Sequence, residues 1–360
     1  MITNKKAYNF GAGPSALPDE VFAAAAEAVK EYKSSGLSIL EISHRSNLFI
    51  DILYEAETLL RELMQIPGDY DILFLHGGGS QQFAMIPMNL LPDHKTAYYI
   101  DSGVWAKKAF EESRRIGNTL ILASSAESTY NYIPKDFSVP DDAAYLHITT
   151  NNTIYGTQWF DVPKTNHPLI ADASSDILCQ KIDVTNYGLI YAGAQKNLGT
   201  AGVTIVIMQK TLLGSSKRTL PKIFDYQEHV NAKSLYNTAP VYAIYVMLLT
   251  LRWLQKMGGV TVIEKINREK AALLYAEIDN NPLFKGHAVE NDRSLMNIAF
   301  QMMRPELEEK FLEVTAQSGI VGIKGHRIFG GLRVSLYNAI PIGHVHYLVD
   351  LMKDFTVKFG

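Results

Sequence analysis

Lys196 lies in the run AGAQKNLGTAG, residues 192–202, between an apolar strand-like stretch and a set of glycines. On a solvated face such a lysine carries no chemistry. At the mouth of a parallel sheet, desolvation and neighbouring positive charge lower its pKa and make its amine a nucleophile. Other polar groups also follow apolar runs. Asp172 closes PLIAD and is followed by Ala-Ser-Ser; His76-Gly77-Gly78-Gly79-Ser80 follows DILFL; Trp105 stands five residues past TAYYI; Asn151-Asn152-Thr153 comes shortly after AAYLHIT. Each has an ordinary explanation by itself: an Asp beside serines caps a turn, a tryptophan fills a core, and three glycines make a tight turn.

Together they describe one ligand. Glycines ahead of a helix let several backbone N–H groups face an anion, and the helix N-terminus adds partial positive charge. The run has neither the Gly-Lys-Ser/Thr of a nucleotide P-loop nor the Gly-x-Gly-x-x-Gly of a dinucleotide site. Pyridoxal phosphate matches the set: its phosphate suits the glycine cradle and its ring suits stacking on Trp105. Its pyridine nitrogen suits Asp172, and its aldehyde suits a Schiff base with Lys196. The glycines after Lys196 are expected to leave room for the cofactor and a moving side chain.

The elements that must position these groups alternate along the chain. YDILFL, TAYYI, TLILA, AAYLHIT, PLIAD, YGLIYAG and GVTIVIM are short, continuous apolar runs, the pattern of strands covered on both faces. Helical segments such as SQQFAMIPMNLL and WAKKAFEESRRIG separate the early ones. From Asn47 to Ile66, apolar residues at Phe49, Leu53, Ala56, Leu60 and Leu63 keep helical spacing. The expectation is an α/β domain over residues 16–259 with a mostly parallel seven-stranded sheet, its last adjacent pair free to run antiparallel. Ligands of such sheets bind beyond the C-terminal strand ends, where the candidate residues lie. Past the paired glycines 258 and 259 the texture changes. The helical VTVIEKINREKAALLYAEIDNN, the strands in RSLMNIAFQM and GLRVSLYN, and the closing helix HVHYLVDLMKDFTVKFG indicate a smaller α+β domain, residues 260–360 joined by 1–15.

Bulk properties narrow the setting. The 360 residues are 47% hydrophobic and 20% charged, ordinary for a folded soluble protein, and the net charge of −3 gives no general attraction to nucleic acid or anionic membrane. An anionic ligand must therefore be held by local cations. One cysteine, Cys179, excludes an intramolecular disulfide and a Cys-rich zinc site, and no metal site is expected. MITNKKAYNFGAGPSALP lacks an apolar core after its lysines, and APVYAIYVMLL is too short to span a bilayer, so a buried or interface helix and a cytoplasmic protein are expected.

The stretches NFGAGPSALP, EISHRS, HGGGSQQF, YAGAQKNLGTAG, YNTAPV and GHRIFGGLRVSLYNA carry a resemblance running from the N-terminus to about residue 339. The chain resembles the phosphoserine aminotransferase family, class-V pyridoxal-phosphate enzymes of fold type I. The resemblance implies a cofactor bound to Lys196 as a Schiff base, with Gln195 beside it on the phosphate. It implies Asp172 at the pyridine nitrogen, Trp105 on the ring, Thr153 at the ring hydroxyl side, and Gly79 and Ser80 on the phosphate. Asn237 and Thr238 would reach that phosphate from the second subunit of a homodimer with shared active sites. The implied reaction is reversible transamination of 3-phosphohydroxypyruvate with L-glutamate to O-phospho-L-serine and 2-oxoglutarate, in serine biosynthesis; the resemblance leaves open 4-phosphohydroxythreonine, in vitamin B6 synthesis, as a further substrate. Substrates with an anion at each end need guanidinium and imidazole groups. Arg333 is assigned to the α-carboxylate, and His44, Arg45, His326 and Arg327 to the distal phosphate or carboxylate. One departure stands out: some members carry an arginine directly after the three glycines, where this chain has Ser80.

Three other readings compete. A cysteine desulfurase needs a reactive cysteine on a mobile loop, whereas Cys179 in SSDILCQKIDV reads as a buried small hydrophobe. An alanine–glyoxylate-type aminotransferase does not need so many cations. A non-catalytic phosphate-binding module leaves Lys196, Asp172 and Trp105 unexplained.

Overall fold

In a computed structural model, residues 7–360 are described; residues 1–6, with which the expected 1–15 segment begins, lie outside the described residues. The element order is β1 (Tyr8–Asn9), α1 (Asp19–Lys30), α2 (Asn47–Met64), β2 (Tyr70–Leu75), α3 (Gly78–Leu90), β3 (Thr96–Asp101), α4 (Val104–Ser113) and β4 (Thr119–Ser124). Next come β5 (Ala143–Thr149), β6 (Leu169–Asp172), β7 (Leu189–Gly193), β8 (Thr204–Gln209), α5 (Tyr226–Asn231) and α6 (Val241–Lys256). The chain closes with α7 (Gly259–Asn280), β9 (Phe284–Gly286), β10 (Asn297–Met302), α8 (Glu308–Gln317), β11 (Ile320–Val321), β12 (Leu332–Ser335) and α9 (Ile342–Phe359).

Each of the seven apolar runs contains a strand of one sheet, ordered β2-β8-β7-β6-β5-β3-β4. Strand β8 is antiparallel to β2 and β7, and the other pairings are parallel. The last adjacent pair is thus the antiparallel one, because the short turn after Lys196 cannot make a parallel crossover. On one face, α1, α2 and α6 pack in a core with Ile72, Ile100, Ile148, Ile190 and Ile207 of the sheet. On the other, residues of α3 and α4 meet Leu73, Tyr99, Tyr145 and Val206. Covering both faces makes the runs continuously apolar, each fully buried large aliphatic contributing about 1.5–3 kcal/mol.

Local signals place the helices. Ser46 caps α2 by accepting from the Phe49 N–H at 3.4 Å, and Phe49, Ile52, Leu53, Ala56, Leu59 and Leu60 form its buried stripe. The apolar APVYAIYVMLL stretch is the start of α6, whose residues from Ala243 to Leu251 are all buried. Among the described residues no helix is long and apolar enough to cross a membrane.

Beyond Gly258 and Gly259, both in the left-handed region at φ 100° and 73°, α7 leads into a three-stranded antiparallel sheet ordered β12-β10-β9. Phe300, Phe311, Leu332, Val345 and Phe355 build a separate core there, which also takes in Phe10 and Cys179. Strand β1 pairs in parallel with β11, Tyr8 opposite Ile320.

Candidate active site

Strands β5, β6 and β7 end side by side, with Thr149 opposite Asp172 and Asp172 opposite Tyr191. Their following loops share one edge with the loops after β2 and β3. A cavity of about 420 Å³ opens at this edge, within the range of small-molecule sites. Its walls include Gly79, Ser80, Trp105, Thr153, Asp172, Gln195, Lys196, His326 and Arg333, nine of the residues singled out from sequence.

After β2 the glycines lead directly into the start of α3. Gly77, at φ 84°, precedes the first helical residue, and a Cβ there would collide with the Gln81 side chain at 1.8 Å. The first turn of α3 contains Gly79 and Ser80, ahead of the first return bond from Gln81 N–H to Gly77 at 3.3 Å. Helix starts leave such N–H groups for a ligand. A Cβ on Gly79 would lie 3.4 Å from Ser174 Oγ and 4.0 Å from Asp172 Oδ2, so glycine keeps that wall open.

Trp105 sits on the first turn of α4. Gly103 precedes it at φ 154°, where a Cβ would come 2.3 Å from the Asn152 carboxamide. Asn152 in turn donates to the Ser102 carbonyl at 2.5 Å, locking the loops after β3 and β5 together. The indole N–H donates to Thr153 Oγ1 at 3.1 Å, and Lys196 Nζ lies 5.6 Å from the ring centroid. Asp172 is buried and accepts the Ser174 N–H at 3.0 Å. Ser174 Oγ accepts from Gly193 N–H at 3.1 Å, which joins the ends of β6 and β7.

Lys196 is half-buried. Desolvation lowers its pKa and Arg333 adds to the effect, while Asp172 and Asp176 oppose it. Arg333, on β12, donates from Nη1 to the Thr153 carbonyl at 2.9 Å. Its Nε is buried without a hydrogen-bond partner among the described residues, an unspent donor in the cavity wall. His326 is held below its ordinary pKa by burial, then by Arg333, Arg327 and Lys108. This patch of positive charge is what an anion needs.

The remaining candidates lie elsewhere. Arg327 is exposed next to His326. His44 is half-buried and Arg45 exposed, just ahead of α2. Asn237 is half-buried and Thr238 exposed, and the Thr238 carbonyl accepts from His76 Nε2 at 2.7 Å. None of these five lines the cavity of a single chain. Cys179 is buried, far from the exposed, mobile position a desulfurase needs.

One expectation needs correction. The glycines after Lys196 do not make room for a ligand: a Cβ on Gly199 would lie 3.3 Å from the Met247 backbone, and one on Gly202 3.4 Å from Ala243 Cβ. They let the turn approach α6. The glycine facing the lysine is Gly13, where a Cβ would sit 3.3 Å from Lys196 Cγ. Its segment is tied down by Ser15, whose N–H donates to the Gln195 carbonyl at 3.0 Å and whose hydroxyl donates to the Lys196 carbonyl. Ala12, Gly13 and Pro14 line the cavity, as does Ser174. No rule of local spacing links residues 12–14 to a lysine so far along the chain.

The residues fit pyridoxal phosphate by their chemistry: an amine of lowered pKa, a buried carboxylate, an indole fixed by its N–H and a helix start at the far wall. The comparisons agree with this cofactor. A phosphoserine aminotransferase of Flavobacterium johnsoniae is 50% identical over 354 residues, covering 98% of this chain and 99% of that one. The solved structure of phosphoserine aminotransferase from Bacillus circulans subsp. alkalophilus is 44% identical with a TM-score of 0.96, covering 99% of both chains. The pyridoxal-phosphate-bound phosphoserine aminotransferase from Trichomonas vaginalis is 35% identical with a TM-score of 0.92, covering 97% of this chain and all (100%) of that one. The family model for class-V aminotransferases matches residues 7–348, and with the lysine, carboxylate and indole gathered in one cavity, this chain belongs to the class-V aminotransferase family.

Proposed function

We infer that this chain is a pyridoxal-phosphate-dependent phosphoserine aminotransferase, moving an amino group between O-phospho-L-serine with 3-phosphohydroxypyruvate and L-glutamate with 2-oxoglutarate. The observation that carries the inference is the convergence of Lys196, Asp172, Trp105, Thr153 and Arg333 on one cavity, in a chain half identical to a phosphoserine aminotransferase over nearly its full length.

When bound, pyridoxal phosphate supplies an aldehyde that condenses with amines and a protonated ring that withdraws electrons. Lys196 would hold it covalently, Asp172 would pair with its ring nitrogen and Trp105 would cover one face. Gly79, Ser80 and Gln195 would hold its phosphate, and Thr153 would lie at the ring hydroxyl side. The lowered pKa of Lys196 leaves more of its amine neutral near pH 7, able to take a proton from the substrate Cα and return it. Arg333, anchored on the Thr153 carbonyl, is assigned to the substrate α-carboxylate. His326 and Arg327, with His44 and Arg45, are assigned to the distal phosphate or side-chain carboxylate.

A homodimer belongs to this proposal. Asn237, Thr238, His44 and Arg45 stand outside the cavity of their own chain, and the first two are proposed to complete the cofactor-phosphate site of a partner. The division into a large domain, 16–259, and a small one, 1–15 with 260–360, is likewise proposed; the β1–β11 pairing and the glycine pair between α6 and α7 support it. A cytoplasmic setting is part of the same proposal.

The test is direct. Purified protein should be yellow, and its absorbance should change on adding phosphoserine or glutamate. Borohydride should trap the cofactor on Lys196. Lys196→Ala should stay folded, lose the trapped adduct and lose roughly 10²–10⁴-fold in turnover. Near-normal turnover in that variant, or equal use of serine and phosphoserine by the parent, would overturn the assignment.

A further inference from the structure

Behind Asp172, on the loop after β6, lies a second acid that neither spacing nor motif singles out. Asp176 is buried, and no salt bridge involves it among the described residues; its side chain meets Thr150 and Gln158. Thr150 Oγ1 stands 3.0 Å from the Asp172 carbonyl oxygen and 2.5 Å from Asp176 Oδ1. A threonine hydroxyl has one proton. With Asp176 ionised, both neighbours are acceptors, and the single hydroxyl proton has to be shared between them or leave one contact without a proton; the Asp172 carbonyl also accepts the Thr150 N–H at 3.0 Å. With Asp176 protonated, its Oδ1–H donates to Thr150, and Thr150 donates onward to the Asp172 carbonyl.

The other oxygen agrees. Gln158 Oε1 accepts the Leu295 N–H at 2.9 Å, which orients the carboxamide so that Nε2 donates to Asp176 Oδ2 at 3.2 Å. Oδ2 thus accepts an N–H in either protonation state, which leaves Oδ1, facing Thr150, as the oxygen placed to carry a proton.

We propose that Asp176 works as a neutral carboxylic acid and a positioning residue: its proton aims the Thr150 hydroxyl at the Asp172 backbone, and its neutrality leaves Asp172 to carry the negative charge beside Lys196. The idea rests on the roles given above to Lys196 and Asp172. The titratable groups that face Asp176 are Asp172, Lys196, Cys179, Tyr187 and Tyr337. Burial, with a smaller push from Asp172, raises Asp176 to about 7 against the pull of Thr150, Gln158 and Lys196. An ionised Asp176 would add a second negative charge at Lys196 and hold its amine as ammonium, which cannot accept a proton.

Asn is the isostere of the neutral acid. It can donate from Nδ2 to Thr150 and accept from Gln158 through Oδ1. In the holoenzyme at about pH 6, where Asp176 is mostly protonated, Asp176→Asn should keep kcat and KM within about threefold of the parent, while Asp176→Ala should lower kcat about tenfold or more. The folded-state pKa lies above the ordinary carboxylate value, so stabilisation is complete below about pH 4 and is lost as pH rises towards about 7. The melting temperature of the parent should therefore fall relative to Asp176→Asn between about pH 5 and about pH 7, then run parallel to it. Infrared spectra of the parent should show a protonated carboxyl band at about pH 5 that disappears by about pH 9. A folded, cofactor-loaded Asp176→Asn that loses tenfold or more in kcat overturns the proposal. So does the absence of the carboxyl band in the parent, which decides the matter even if the Asn variant does not fold. The band and the melting curves do not depend on the substrate, so their failure leaves the aminotransferase reading to the Lys196→Ala test.

Discussion

Trp105 and Thr153 are joined by a hydrogen bond of 3.1 Å from the indole N–H to the threonine hydroxyl. The bond runs from the first turn of α4 to the loop after β5 and restrains the ring, whose centroid lies 5.6 Å from Lys196 Nζ. A neutral hydrogen bond of this kind contributes about 0.5–1.5 kcal/mol. Thr153→Val should therefore weaken pyridoxal-phosphate binding about two- to tenfold, and Thr153→Ser should restore most of it. Cofactor titration by tryptophan fluorescence measures both. Equal affinity in all three proteins would mean the ring is held by packing alone.

Asp172→Asn keeps the shape of the buried side chain, including its oxygen for the Ser174 N–H, and removes the charge. A hydrogen bond to a charged group contributes about 1.5–3 kcal/mol. If that charge acts on the ring in the transition state, kcat should fall roughly 10- to 100-fold with little change in KM. Steady-state kinetics with phosphoserine decide it; an unchanged kcat would make Asp172 a turn residue only.

Arg333 and Arg45 should separate by substrate. Arg333→Ala removes the group assigned to the α-carboxylate and should lower kcat/KM about tenfold or more for phosphoserine, glutamate and alanine alike. Arg45→Ala should do so for phosphoserine and glutamate but hardly touch alanine, which has no distal anion. Comparable damage to alanine in both variants would remove Arg45 from distal-anion binding.

His326 gives the site a pH dependence. Burial and the cations Arg333, Arg327 and Lys108 depress its pKa, and a bound anion must raise it again. A group whose pKa rises on binding adds affinity that is complete below the free-protein pKa and lost as pH rises through the bound-state value. Sulfate, which does not titrate in this range, should bind more tightly as pH falls from about 7.5 to about 5.5, with proton uptake. Calorimetry in two buffers of different ionisation enthalpy reads the uptake, and His326→Asn should abolish it. Equal uptake in the variant would place the titrating group elsewhere.

Much of this protein was legible in local sequence. Strands buried on both faces read as unbroken apolar runs, so β2 to β8 could be located within a few residues, and the α2 stripe follows from helical period. Lys196, Asp172 and Trp105 could be singled out because ligands gather beyond strand ends, a position that is itself a local feature. Identity to a family then attached roles to residues whose spacing alone left them ambiguous.

Tertiary structure decided what depends on distant partners. Packing against α6 explains Gly199 and Gly202, which by sequence looked like ligand space. The hydrogen bonds of Ser15 to the lysine loop bring Gly13 to Lys196 from the other end of the large domain's sequence, beyond the reach of any periodicity. His44, Arg45, Asn237 and Thr238 are legible as polar residues but fall outside a single chain's cavity. The protonation of Asp176 is set by burial and by which oxygen Thr150 and Gln158 face. Residue type and order determine the periodic pattern along each element, whereas desolvation and the hydrogen-bond chain from Asp176 through Thr150 to the Asp172 carbonyl exist only once separate segments are packed together.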